Sequence, residues 1–149
     1  MRGTGWNVAA GAALALAAAL LALSACSTVD KVRGKDGASS EKEARDVAST
    51  DPLARPIQVG WTSARATHCG FIFDPNQLRA NYMAAEVQAG ATPEQMQKIE
   101  RAYDYTRQST LDTIKDNLRY CNKERTAAIR TDLNRYLAGD YAPTARMGR

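Results

Sequence analysis

The stretch DPNQLRANYMAAEVQAGATPEQMQKIERAYDYTRQSTLDTIKDNL, residues 74–118, decides the fold, because it gives the signature of a helix start twice. Asp74 before Pro75 places an N-cap carboxylate ahead of proline at the first helical position, where a missing N–H costs nothing. Leu78, Tyr82 and Ala85 then fall on one stripe, with Met83 and Val87 beside it, and Gly90 ends the helix. Thr92, Pro93, Glu94, Gln95 repeats the start with a capping box, Gln95 lying three residues after Thr92. Met96, Ile99, Tyr103, Thr106, Thr110, Ile114 and Leu118 recur at three- and four-residue steps, so this second helix is long and faces one core. Glu94 and Lys98 add a favourable i,i+4 pair. Residues 90–92 are too short a link for anything but a tight reversal, which makes the two helices an antiparallel hairpin.

Downstream of Pro93, residues 94–138 contain neither Gly nor Pro. One helix through Leu137 would be about 68 Å long at 1.5 Å per residue, and a domain of this size would leave much of it bare. A break at residues 120–123 is the preferred reading, with Asn122 capping a third helix that buries Ile129, Leu133, Tyr136 and Leu137 and stops at Gly139. The register through Leu118, Cys121 and Ile129 also suits a continuous helix. After Pro143 a disordered tail, residues 143–149, is expected. Upstream, Ile57, Val59 and Trp61, then Cys69, Phe71, Ile72 and Phe73, are apolar and partly alternating. They predict one or two short extended segments lying across the helices, with Trp61 as a core plug.

The amino terminus carries an address. Residues 1–7 are short and polar with one charge, Arg2, and residues 8–23 are an unbroken run of Val, Ala, Leu and one Gly. A membrane span needs roughly 20 apolar residues, so this run of 16 reads as the apolar part of a cleaved export signal. Leu23, Ser24, Ala25, Cys26 follows, and it resembles the lipobox of bacterial lipoproteins. The resemblance covers only the first 26 residues. It implies cleavage of residues 1–25, a diacylglycerol on the Cys26 sulfur and often an acylated new amino terminus, with Cys26 the first residue of the mature protein. Two or three acyl chains hold a protein durably at a membrane, where one holds weakly. Ser27, rather than Asp, leans towards the outer membrane facing the periplasm; the outer leaflet of the inner membrane and the cell surface are the other addresses.

Removing 25 of 149 residues leaves 124, enough for one small domain. Residues 26–56 form the lipidated terminus and a tether rich in Ser, Gly, Lys, Asp and Glu, which bury too little apolar area to offset their conformational entropy. Such a tether has a root-mean-square reach of about 30 Å. A weak helix over residues 40–47, capped by Ser40 with Glu43 three residues on, is compatible with it. Residues 57–142 are then the helical periplasmic domain. Basic residues gather at the carboxyl end, with Arg119, Lys123, Arg125, Arg130, Arg135, Arg146 and Arg149 against Glu124, Asp132 and Asp140. An exported protein rarely meets nucleic acid, so the counterparts are anionic headgroups or an acidic partner, or the charges are simply a solvated helix face.

With Cys26 acylated, Cys69 and Cys121 remain as a pair in an oxidising compartment, and a disulfide is expected. It closes a loop of about 50 residues and stabilises by up to about 4 kcal/mol in the chain-entropy model. The long spacing and the lack of Cys-x-x-Cys argue against a redox pair. His68 is the only histidine, too few ligands for a metal site once the cysteines are oxidised, so no metal or cofactor is expected. Glu100 with Asp104, and Asp112 with Asp116, share helix faces at i,i+4, but Arg101, Arg107, Lys115 and Arg119 interleave them as on a solvated face. Tyr103 and Tyr105 lie about 200° apart, which leaves Tyr105 exposed with Tyr120 or Tyr141.

The expectation is thus a mainly α domain. It is a small antiparallel three-helix arrangement, or a helical hairpin with one very long helix, with a short extended segment pinned by the disulfide. Its role is structural or an interaction with an envelope protein, by default of any catalytic constellation. The alternatives are a cell-wall binding module, an inhibitor of a periplasmic hydrolase, or an enzyme with a site assembled from residues such as Glu100, Asp104 and His68.

Overall fold

Four α-helices make up the part of the chain described by the computed structural model, residues 46–145: α1 (Ala54–His68), α2 (Pro75–Gln88), α3 (Pro93–Ile114) and α4 (Lys123–Leu137). The export signal, Cys26 and the tether up to residue 45 lie outside the described residues, as do residues 146–149. Among the described residues no helix is long and apolar enough to cross a membrane.

The hairpin of α2 and α3 forms as its caps dictate. The Asp74 carboxylate accepts from the amides of Asn76 and Gln77 at 2.8 and 3.2 Å. At the start of α3 the Gln95 amide donates to Thr92 Oγ1 at 3.2 Å while the Thr92 amide donates to Gln95 Oε1 at 2.8 Å. The chain breaks after Ile114, and Asn122 caps α4 by accepting from the Arg125 amide at 2.9 Å. The break falls earlier than the apolar register suggests, and Leu118, fully exposed on the connecting loop, has no place in the core. Leu137 is likewise half exposed at the end of α4, whereas Ile129, Leu133 and Tyr136 are buried as expected.

Residues 57–73 correct the sequence reading. The expected extended segments are instead α1, so the described residues form four helices and not three. The start of α1 carries no side-chain cap: Leu53 stands at the N-cap, and Asp51 supplies a carbonyl to Ala54 and a carboxylate oxygen to Leu53. Its interior hides the helical period, because nine consecutive residues, Gln58 through Ala66, are all buried. A helix covered on every side shows no polar stripe for a sequence to reveal. The apparent alternation of Ile57, Val59 and Trp61 is the visible remnant of that all-round burial. Gly70 ends α1 at φ 70°, with its own amide on the Thr67 carbonyl and the Phe71 amide on the Ala66 carbonyl. This double bond across a left-handed glycine is the Schellman motif; Gly90 and Gly139 close α2 and α4 the same way.

The helix α1 packs mainly on α3, and also on α4. At their crossing Gly60 permits a close approach: a Cβ there would lie 2.7 Å from the Tyr103 carbonyl oxygen, so the backbone would have to shift. Val59 and Ala66 of α1 join Leu78, Tyr82 and Met83 of α2, Ile99 and Tyr103 of α3, and Ile129, Leu133 and Tyr136 of α4 in one core. Trp61 is buried in a second, smaller cluster with Ile57. The disulfide is present, joining Cys69 just past α1 to Cys121 just before α4.

The carboxyl-terminal segment returns over the bundle. Tyr141 is buried between Tyr82 and Tyr136, with ring centroids 5.1 and 6.0 Å away. Gln58, itself buried in α1, reads the main chain of Thr144 from both sides: its amide donates to the carbonyl at 2.8 Å, and its oxygen accepts from the N–H at 3.0 Å. The disorder expected from residue 143 onward therefore does not hold at Thr144. Neither Tyr120 nor Tyr141 is exposed beside Tyr105 as expected of one or the other; both are buried, and of the tyrosines Tyr105 alone stays exposed.

Two tests follow from this packing. Alanine is the better helix former by about 1 kcal/mol, but overpacking costs about 1–3 kcal/mol where the neighbour is backbone. Gly60→Ala should therefore lower the thermal midpoint measured by circular dichroism; a raised midpoint would show that α3 yields easily. The second test concerns Asp140, whose carboxyl is held below its ordinary value by Arg135 at 2.9 Å and by the Ala142 amide. A depressed folded-state value means that this contribution is complete above the unfolded value of 3.8 and is lost as pH falls through the lower folded one. Denaturant midpoints of Asp140→Asn below pH 4 should accordingly fall less steeply than those of the unaltered protein.

Candidate functional site

A cleft of about 470 Å³ opens where the α2–α3 turn meets the start of α1. Pro52, Leu53 and Arg55 form one wall, Glu86 and residues 89–91 the second, and Gln95, Lys98 and Ile99 the third. Its position follows from chain punctuation. The Schellman ending at Gly90 and the capping box at Thr92 fix the turn, and the uncapped start of α1 is laid against it.

The Glu86 carboxylate is the unusual group. Its side chain is only 3 % exposed, and Oε2 pairs with the Arg55 guanidinium at 2.9 Å, while Arg55 remains 43 % exposed. A buried carboxylate without such a partner is costly to the fold. One turn earlier on α2, the buried Tyr82 hydroxyl faces the same carboxylate, and burial first, then Glu86, push its ionisation far above the ordinary tyrosine range. Tyr82 therefore stays neutral at any physiological pH. Among the lining residues the titratable groups are Arg55, Glu86 and Lys98, two cations and one paired anion. That set can hold a small polar molecule by hydrogen bonds and charge.

A second buried polar group lies inside the bundle. The Arg65 guanidinium, on α1, stacks 3.7 Å from the centroid of the Trp61 ring. On α4, Asp132 has its carboxyl pushed up by burial, an effect that the nearby Arg65 and Arg135 oppose. Burial likewise raises the ionisation of Tyr103, which faces Ser63, and of Tyr136, which faces Thr62. These groups line the contacts of α1 with α3 and α4.

The residues nominated by the sequence fall in separate places. Cys69 and Cys121 form the disulfide, with Cα atoms 5.5 Å apart. Cys26 lies outside the described residues. His68 sits edge-on to Tyr120, with ring centroids 5.6 Å apart. Asp104 is held in a two-bond fork by Arg79, at 2.8 Å for each bond, and Glu100 is exposed one turn before it on α3. Among the described residues no group of three or more His, Cys, Asp or Glu side chains is placed to hold a metal. The sequence reading passed over Glu86 because it treats charge as surface, although Leu78, Tyr82 and Glu86 share one face of α2 at four-residue steps. Arg55 was assigned to the tether. The chain matches no family model, no curated protein and no solved structure.

Arg55→Met would leave the Glu86 carboxylate buried without its cation. Breaking a fully buried pair costs about 3–5 kcal/mol; with Arg55 partly in water the expected loss is about 2 kcal/mol by urea unfolding. Glu86→Gln in addition should recover most of it. Effects that simply add would show that the two residues are not coupled.

Proposed function

We propose that the protein is a lipid-anchored protein of the bacterial cell envelope whose helical domain has a structural or protein-interaction role. The observation that carries this reading is Leu23, Ser24, Ala25, Cys26 directly after an apolar run of export-signal length. The disulfide supports it, since such bonds persist in oxidising compartments and are rare in the cytosol. Lipidation at Cys26, a tether from there to the start of α1, and the outer membrane as the anchoring site all belong to this proposal. The outlying positions of His68 and of the Arg79-bound Asp104 lend no support to a catalytic site built from them with Glu100.

Intact mass of the protein extracted from membranes tests the reading. The expected mass is that of residues 26–149 plus acyl chains, with alkylation of Cys69 and Cys121 appearing only after reduction. A mass without lipid would overturn the anchor. Crosslinking in cells should then recover an envelope protein with the domain; recovery of none above background would count against the interaction role.

A further inference from the structure

The two most exposed large aliphatic side chains of the described residues sit on the two loops that the disulfide ties together. Ile72 is 102 % exposed and Leu118 98 %. Ile72 lies three residues after Cys69, and Leu118 three residues before Cys121. Aliphatic side chains exposed to that degree project away from their own chain, and these two do so from the same end of the bundle. Single exposed apolar residues are ordinary, but here the backbone builds the projection. Phe71 and Phe73, on either side of Ile72, pack against the core, so the residue between them is turned outward. On the facing loop the Asn117 amide bonds to the Ile114 carbonyl at 2.9 Å and the Tyr120 amide to the Asn117 carbonyl at 3.0 Å, which holds Leu118 at the crest of a turn.

The surroundings of this crest are basic. Lys115, Arg119 and Lys123 are exposed on its loop and at the start of α4, and the Arg130 guanidinium stands 5.7 Å from the Phe71 ring centroid. Asp116 and Glu124 are the acids among them, and Asp74 spends its carboxylate on the amides of α2. We propose that this end of the bundle is a membrane-contact tip: Ile72 and Leu118 enter the interface of an anionic bilayer while Lys115, Arg119 and Lys123 meet headgroup phosphates. Shape and size favour lipid over protein. Two projecting aliphatic residues fall far short of the ~800 Å² per partner of a stable protein interface, and protein hot spots favour Trp, Tyr and Arg seated in pockets. A bilayer accepts isolated convex apolar groups, and its anionic surface attracts juxtaposed basic residues. The inference rests on the envelope address proposed above for the presence of a membrane, though not on the acyl group at Cys26.

The test uses the full chain with Leu118 replaced by a photoreactive diazirine amino acid, reconstituted in vesicles of equal parts phosphatidylglycerol and phosphatidylethanolamine. Mass spectrometry after illumination should show lipid adducts severalfold above those at position 105, where Tyr105 is exposed on α3 away from the tip. The adducts should fall severalfold in phosphatidylcholine vesicles and in the combined variant Lys115→Gln, Arg119→Gln, Lys123→Gln. Equal labelling at 105 and 118, indifference to lipid charge, or protein adducts alone at 118 in intact cells would overturn the proposal. The same spectra report acylation at Cys26. An acylated chain without adducts at 118 removes the tip and leaves the anchor, and an unacylated chain with them does the reverse.

Discussion

The contact of Gly60 with the Tyr103 carbonyl oxygen sets the geometry on which the other contacts depend. A hydrogen in place of a methyl group lets the α1 backbone approach the α3 backbone more closely than any other residue would permit. With the two axes that close, Val59 and Tyr103 share one core with Tyr82 from α2 and Tyr136 from α4. The closeness also explains why α1 is buried on all sides although its residues are not uniformly apolar. It is the central post of the bundle, and the hairpin, α4 and the carboxyl-terminal segment are arranged about it.

A central helix with Gln58, Thr62, Ser63 and Arg65 in its middle must satisfy polar groups where water does not reach. Gln58 meets this demand fully, whereas Thr62 Oγ1, Ser63 Oγ and the Tyr103 hydroxyl are buried without a hydrogen bond. Gln58 spends both ends of its amide on the main chain of Thr144, Ser63 faces Tyr103, Thr62 faces Tyr136, and Arg65 lies flat on Trp61. The Gln58 bonds tie the carboxyl-terminal segment to α1 in a fixed register, a specificity that purely apolar contacts would supply less sharply. Burial raises the ionisation of the Tyr103 and Tyr136 hydroxyls and so keeps them neutral.

How much of this was legible in the sequence follows from where polarity and burial part company. The hairpin was readable because α2 and α3 are half exposed: their caps stand in water, and Leu78, Tyr82, Ile99, Tyr103 and Ile114 mark a core face against polar residues. The break before α4 was readable from Asn122, though Leu118 suggested a longer α3, since an outward apolar residue looks like core when its neighbours keep the period. The first helix was not readable. Leu53 gives no cap signal, and buried Gln58, Thr62, Ser63 and Arg65 erase the contrast on which periodicity depends. Two signals were available, Asp51 before Pro52 where the helix starts and Gly70 where it stops. The Glu86–Arg55 pair of the cleft was hidden for a related reason, because a charge in an apolar stripe is discounted unless its partner is known, and that partner is 31 positions earlier in the chain.

The two ends of α1 have different chemistry, and this bears on how the domain would sit at a membrane. Its amino-terminal end enters the cleft beside Arg55 and Glu86; its carboxyl-terminal end carries Cys69 and the disulfide to the loop of Leu118. Fifteen residues of helix set these ends about 22 Å apart. The proposed tether arrives at the cleft end, so an anchor at Cys26 would not by itself bring the disulfide end to the bilayer. A tether of about 30 Å reach, if the proposed one has it, would exceed the length of α1 and would let the domain turn end for end without straining its connection. Anchor and tip would then act on one membrane through two separated points. Since two linked contacts raise the local concentration of each other, a tip too weak to bind alone becomes effective once the chain is tethered. The disulfide fixes the loop after α1 to the loop before α4, and so holds the segments that carry Ile72 and Leu118 at one end of the bundle.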